Sequence, residues 1–232
     1  MYDQRLFLQK LSRFAKAPAR YDLDAALTDL TENVTAVLGL CGSGITMAND
    51  GLLRYVTTAT PASAELERDH AKLHPCPCRD AYTTGEVVRV SGLWKEFARW
   101  PEFAATAARV SVAGLAAIPM WLDKKVIGTL TLYSTEPRQW SDEALAVARV
   151  MADLATSYVV NASKLHQQEQ LSEQLQVALS SRIVIEQAKG ITAYQSAVTI
   201  DQAYQRIRTH ARNNNTSLRK VAEAIVGAGL HV

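Results

Sequence analysis

Residues 113–143 read AGLAAIPMWLDKKVIGTLTLYSTEPRQWSDE, and this stretch decides the fold class. Ala113 to Leu122 and Val126 to Tyr133 are two β-prone runs, with Asp123-Lys124-Lys125 as the turn between them. Runs joined by so tight a turn pair antiparallel, because a parallel pair needs a crossover of a dozen residues or more. At Ser141 the pattern becomes helical. Ser141 can cap the helix, and Asp142 and Glu143 complement the partial positive charge at its start. A hairpin running into a helix, rather than a regular strand–helix–strand unit, predicts an α+β domain built on an antiparallel sheet.

The residues before this stretch agree. Cys41 to Ala48 and Leu52 to Ala59 are short strands around Asn49-Asp50-Gly51, whose Asp-Gly pair permits positive φ in a second hairpin. Tyr2 to Leu38 reads as two helices. The second buries Leu23, Ala26, Leu27, Leu30, Val34, Val37 and Leu38 on one face, with Asp22 or Asp24 accepting from the first-turn amides. Pro61 to Leu73 and Arg79 to Thr84 are further helices, the latter stopped by Gly85, and Glu86 to Val90 is a strand. Trp94, Phe97, Trp100 and Phe103 follow, between two strands. They form either an aromatic lid over a ligand or ordinary core.

Beyond Ser141 no Pro or Gly occurs until Gly190. Leu145, Ala148, Ala152, Ala155 and Val159 make one apolar stripe, and Lys164 to Ser181 is rich in Gln, Glu and Ser. There Leu171, Leu175, Ala178 and Ile185 keep a three/four spacing, with Arg182 breaking the series. Such a segment is either a solvated linker or a short coiled coil. The second is favoured, since a lone helix has nothing to bury its Leu stripe against. Thr199-Ile200-Asp201-Gln202 fits a capping box. The helix it opens buries Ile200, Ala203, Tyr204, Ile207 and Ala211 and breaks at Asn213-Asn214-Asn215. A last helix starts at Thr216 or Ser217, buries Leu218, Val221, Ala222, Ile225 and Val226, and ends at Gly227 and Gly229.

Composition narrows the function classes. Of 232 residues 48% are hydrophobic and 21% charged, enough apolar material for a core. The longest purely apolar stretch, Val112 to Leu122, is 11 residues with Pro119 inside it. A bilayer span needs about 20. Arg5, Lys10, Arg13 and Lys16 interrupt the N-terminus, which carries no apolar signal core. A cytoplasmic location without membrane contact is therefore expected. Three cysteines make no disulfide framework. Cys76 and Cys78 in a Pro-Cys-Pro-Cys run, near His70 and His74, either line a loop or form a metal or redox site, and no metal site is assigned. After Ser181 there are seven cations against three anions, so the last 51 residues carry +4 and the rest −2. A mildly basic tail suits a polyanionic partner. No Walker loop, Ser-His-Asp arrangement or HExxH string is present, and no catalytic residue is expected.

Asp80-Ala81-Tyr82 with Gly85, Val88 and Val90, then Trp100-Pro101 and Phe103, mark the middle of the chain. Gly114-Leu115, Ala117-Ile118-Pro119-Met120, Ile127-Gly128-Thr129-Leu130, Leu132-Tyr133 and Trp140-Ser141-Asp142-Glu143 follow in order. Together they resemble the GAF family over about residues 20–160. The resemblance implies an antiparallel sheet with helices on one side and a cavity under the other, and a sensor that often binds a small molecule. Trp94, Trp100 and Phe103 are the candidate ligand residues; the resemblance does not identify the ligand.

The C-terminus resembles the ANTAR family over about residues 175–230. Glu186-Gln187-Ala188-Lys189-Gly190-Ile191 ends a long helix. Ala203-Tyr204, Ile207-Arg208 and Ala211 follow in the next, and Leu218, Val221-Ala222 and Ile225-Val226 in the last. Thr192-Ala193 stand where the family commonly has Leu-Met, Tyr204 where Phe is common and Ile207 where Leu is common. The resemblance implies a three-helix module that binds two adjacent RNA hairpins as a homodimer and prevents a terminator from forming. Its candidate RNA contacts here are Arg182, Gln187, Lys189, Gly190, Tyr204, Arg208, Arg212 and Arg219. Arg182 and Lys189 are seven apart and Arg208 and Arg212 four apart, so each pair shares a helix face. Tyr204 is one turn from Arg208 and either stacks a loop base or packs in the core, stacking on cation-flanked rings being how unpaired bases are read. Gly190 permits close backbone approach.

The expected organisation is a sensor domain at 1–160, a connecting coiled-coil helix at 161–180 and an RNA-binding domain at 181–232. No receiver-domain pattern is read in these residues, so phosphorylation of an aspartate is not the expected input. Two other readings stand beside this one. Leu218 to Val226 superficially resembles a helix-turn-helix segment, which would make the chain a DNA-binding transcription factor. Some GAF domains reduce methionine sulfoxide with cysteines, and three cysteines are present.

Overall fold

In the computed structural model, residues 4–15, 22–49, 52–70 and 75–232 are described. Tyr2, the Asp50-Gly51 turn, Leu73 at the end of the expected third helix, and the His70 and His74 side chains lie outside them. The chain divides into two compact units, Met1–Ser163 and Lys164–Val232.

In the first unit, β1 (Gly42–Asn49), β2 (Leu52–Thr58), β3 (Val88–Val90), β4 (Gly114–Leu122) and β5 (Lys125–Ser134) form one sheet in the order β2-β1-β5-β4-β3. Every pairing is antiparallel, as the two hairpins require. The second hairpin is tighter than its sequence suggested. Leu122 pairs with Lys125, leaving Asp123-Lys124 as a two-residue turn with Asp123 at φ 53°.

Alternation along β4 and β5 sends side chains to opposite faces. Ile45, Ile118, Met120, Leu130 and Leu132 meet Leu27, Leu30 and Val34 of α2 (Leu23–Leu38), with α1 (Gln4–Ala15) beside it. The same face meets Leu145, Ala148 and Met151 at the start of α6 (Asp142–Ser196). The α2 stripe is the one the periodicity gives, and Asp22 caps it by accepting from the Asp24 amide. On the other face lie α3 (Pro61–His70), α4 (Pro77–Thr84) and α5 (Pro101–Arg109). Their Leu66, Ala81, Phe103 and Ala107 close over Leu115, Ala117 and Tyr133. Gly85 ends α4 at φ +72°, where a side chain would be strained. Helix α5, with Pro101 in its first turn, occupies what the sequence left as an inter-strand segment, together with a short 3-10 turn at Leu93–Lys95.

In the second unit α6 does not stop at Gly190 but continues to Ser196. Ala188 of α6 packs with Ile207 and Ala211 of α7 (Ile200–Asn213) and with Val221, Ala222 and Ile225 of α8 (Leu218–Ala228). The capping box forms: Thr199 Oγ1 accepts from the Gln202 amide at 3.3 Å, and Gln202 Oε1 accepts from the Thr199 amide at 3.0 Å. Ser217 caps α8. Among the described residues, no helix is long and apolar enough to cross a membrane.

Candidate nucleic-acid interface

The string Glu186-Gln187-Ala188-Lys189-Gly190-Ile191 lies mid-helix, so successive side chains point about 100° apart. Ala188 is fully buried in the three-helix core, and Ile191 packs against it. Lys189 turns toward α7, where its ammonium lies 5.7 Å from the centre of the Tyr204 ring. It also donates to both Glu186 carboxylate oxygens at 2.9 Å, and its side chain is only 16% exposed. Gln187 and Gly190 face solvent.

Tyr204 is half-buried, and Arg208 and Arg212 follow on its side of α7, both exposed. Arg182 is exposed one helical face above Lys189. None of these three arginines holds a salt bridge among the described residues. Arg219 differs. Its Nε donates to Glu223 at 2.7 Å, and one terminal nitrogen donates to Ser181 Oγ at 3.3 Å, joining α8 to α6.

The fold therefore brings Lys189, Tyr204, Arg208 and Arg212 into one cation–ring ridge, while Gln187 and Gly190 point elsewhere. Sequence reading missed the two acids that hold cations, Glu186 and Glu223. The signal was available, since they stand three and four residues from their partners on the same helix. The Arg219–Glu223 pair is exposed on both sides, and pairs of that kind contribute only about 0–1 kcal/mol, whereas Lys189 is largely covered and only its Glu186 partner is exposed.

The candidate ligand residues of the first unit separate. Trp94 stays 54% exposed and, with Phe97, rims an apolar cavity of about 260 Å³ floored by Leu93, Ala104, Ala108 and Val112. Trp100 and Phe103 are fully buried in the core under α4 and α5. The Trp100 indole donates to Asp80 at 3.2 Å, and Arg99 pairs with that carboxylate at 2.7 Å while lying over the Trp100 ring.

Deeper on the same side is a buried polar cluster that the sequence did not reveal. The Glu67 carboxylate accepts from Thr46 at 2.6 Å and from the Tyr133 hydroxyl at 2.7 Å. Cys76 and Cys78, both fully buried, have their sulfurs 3.3 Å apart. Burial first, then Cys76 and the Glu67 charge, push the Cys78 thiol well up. Burial and Glu67 do the same to the Tyr133 phenol. No group of three or more His, Cys, Asp or Glu suited to a metal occurs among the described residues.

The GAF-domain profile matches residues 22–159, and the ANTAR-domain profile matches residues 173–226. Several solved structures share the fold of the first unit. A domain of a two-component sensor histidine kinase protein from Sinorhizobium meliloti is 16% identical, with 65% of this chain and 99% of that one covered at a TM-score of 0.55. The GAF domain of an Acinetobacter phosphoenolpyruvate-protein phosphotransferase is 12% identical, with 69% and 93% covered at 0.55. Free methionine-R-sulfoxide reductase from Neisseria meningitidis, in complex with its substrate, is 15% identical, with 69% and 89% covered at 0.52. No curated protein matches this chain.

Proposed function

From the premise that this chain belongs to the GAF family and carries an ANTAR domain behind its sensor domain, we propose that it is an RNA-binding transcription antitermination regulator acting as a homodimer. The observation that carries the reading is the ridge of Lys189, Tyr204, Arg208 and Arg212. A ring flanked by cations suits an unpaired, splayed base between two phosphates, which is how loops of RNA hairpins are read. Arg182 extends the positive surface along α6. A homodimer supplies two such ridges, matching two adjacent hairpins in nascent mRNA, and a signal bound by the GAF domain biases the dimer between arrangements. Residues 1–160 are the sensor domain in this reading, 161–180 the connecting coiled-coil helix and 181–232 the RNA-binding domain, all acting in the cytoplasm.

The test is fluorescence anisotropy with an RNA carrying two adjacent hairpins, a scrambled-loop RNA of equal length and duplex DNA. At least tenfold tighter binding to the paired hairpins is expected. Equal affinity for the scrambled RNA overturns the reading, and preference for the duplex turns it into a DNA-binding factor.

A second reading is favoured by one observation, the Cys76–Cys78 pair beside Glu67 and Tyr133. A thiol-dependent reductase would convert a sulfoxide and two thiols into a thioether, a disulfide and water. Against it, both sulfurs are buried and the Cys78 proton is held tightly, whereas the thiolate is the nucleophile. Turnover of free methionine sulfoxide that is lost in Cys76→Ser and Cys78→Ser would establish it.

A further inference from the structure

Past the end of β3, strand β4 runs along an open edge. β3 pairs with β4 only as far as Val88 opposite Ala117, so from Ile118 onward β4 has β5 on one side and, among the described residues, no strand on the other. A cavity of about 230 Å³ lies along this edge, separate from the one beside Trp94. Its apolar wall is Val87, Ile118, Pro119 and the Trp121 ring. A register shift between Met120 and Trp121 bends the hairpin at this point. Gly85 admits the indole, since a Cβ there would stand 2.5 Å from the Trp121 ring. Even so, Trp121 stays 43% exposed. Three charged side chains complete the lining: Arg149 and Asp153, one turn apart on α6, and Glu86 from the turn between α4 and β3. All three are exposed, and none holds an ion pair among the described residues.

Opposite charges that share a cavity without pairing select among ligands. A phosphate or other plain anion would meet two carboxylates there, and a plain cation would meet Arg149. A small molecule carrying both signs on adjacent atoms satisfies all three groups. An added β-strand is disfavoured, because Pro119 has no N–H to offer along the edge. The space is also smaller than the ~300 Å³ at which pockets begin to take drug-sized ligands. We infer that this notch binds a free α-amino acid with an apolar side chain. Its carboxylate lies on the Arg149 guanidinium, its ammonium on Asp153 with Glu86 beside it, and its side chain against Trp121 and Pro119. The inference rests on the sensor half of the reading above and names the chemical class of the signal. Arg149 and Asp153 belong to the helix that continues to Ser196 and carries Lys189, so the ligand is held by the element that leads to the RNA-binding helices.

The experiment is isothermal titration calorimetry on the full chain with L-phenylalanine and L-leucine, with circular dichroism to confirm that each variant keeps its helix content. Phenethylamine and 3-phenylpropionate, which lack the carboxylate and the ammonium respectively, are titrated beside them. At least one of the two amino acids is expected to bind, and both fragments to bind about tenfold or more weakly than it. Arg149→Gln and Asp153→Asn are each expected to weaken the amino acid about tenfold or more, Arg149→Lys to retain part of the affinity, and Trp94→Ala, in the other cavity, to change nothing. Absence of binding by both amino acids overturns the inference. So does a fragment that binds as tightly as the amino acid, or binding indifferent to Arg149→Gln and Asp153→Asn. No RNA enters this measurement. A chain that holds the amino acid but binds the paired-hairpin RNA no better than the scrambled one upholds this inference and removes the RNA reading instead, and the converse result removes this inference alone.

Discussion

The Lys189 ammonium lies 5.7 Å from the centre of the Tyr204 ring, on a different helix and 15 residues further along the chain. The contact joins the one half-buried lysine of the ridge to its one aromatic ring, with Glu186 completing the group from the other side. A cation so placed is pre-positioned but partly neutralised. What a nucleic acid gains there depends on how easily the carboxylate yields.

That dependence can be measured. Glu186→Gln is expected to tighten binding to the paired-hairpin RNA about two- to fivefold at low salt, and less at high salt, because the Glu186 carboxylate is the exposed half of the pair and salt screens its charge. Lys189→Ala is expected to weaken it about tenfold and to flatten the slope of log affinity against log salt by about 0.7–1. Unchanged salt slopes would show that Lys189 touches no phosphate.

Tyr204 separates ring from hydroxyl. Base stacking on an aromatic ring contributes about 1–3 kcal/mol. Tyr204→Phe is expected to retain RNA affinity within about twofold and Tyr204→Ala to lose between about fivefold and a hundredfold. Anisotropy titrations read both, and equal losses in the two variants would rule out stacking.

The second unit should be sensitive to one cap and one core residue. Thr199→Ala removes the acceptor of the Gln202 amide and is expected to cost about 1 kcal/mol. Ile207→Ala, fully buried among three helices, is expected to cost about 2–5 kcal/mol. Urea unfolding followed by circular dichroism measures both, and a cost for Ile207→Ala below that of the cap would contradict the core described above.

The first unit should weaken in alkali. Burial and the Glu67 charge raise the Tyr133 pKa above its ordinary 10.0 in the folded protein. The unfolded chain releases that proton first, so this contribution is intact below about pH 10 and is lost as pH rises beyond it. Cys78 acts with the same sign from about pH 9.0 upward. Tyr133→Phe should flatten part of the alkaline loss while costing about 1–3 kcal/mol at pH 7, since Glu67 keeps Thr46 but loses a donor. Unfolding curves from pH 7 to about 10.5 test both halves, and an unaltered alkaline limb in the variant would show that Tyr133 does not contribute to it.

Much of the architecture was legible because it is periodic. Leu27, Leu30, Val34, Val37 and Leu38 announced α2, and all five are buried. Two polar turns between β-prone runs announced the antiparallel sheet, and Thr199 with Gln202 announced α7. Helix α5 escaped notice because Phe103 and Ala107, with Trp100 just before the helix, look like any aromatic-rich loop until Pro101 is recognised as a first-turn proline. The Cys76-Pro77-Cys78 run stood out in the sequence, but nothing joined it to Glu67 and Tyr133, which come from other elements.

Order, length and polarity of the helices and strands are written in the chain, because 3.6- and 2-residue periods are local properties of a backbone. Which charges stay available is only partly local. Spacing along one helix sets Glu186 beside Lys189 and Glu223 beside Arg219, yet only packing decided that Tyr204 would close over Lys189, that Ser181 would reach Arg219, and that Arg182 and Arg208 would remain in solvent. Distances between side chains on different helices depend on how apolar faces dock around Ala188, Ile207 and Ala222, and no spacing along a single helix contains that information.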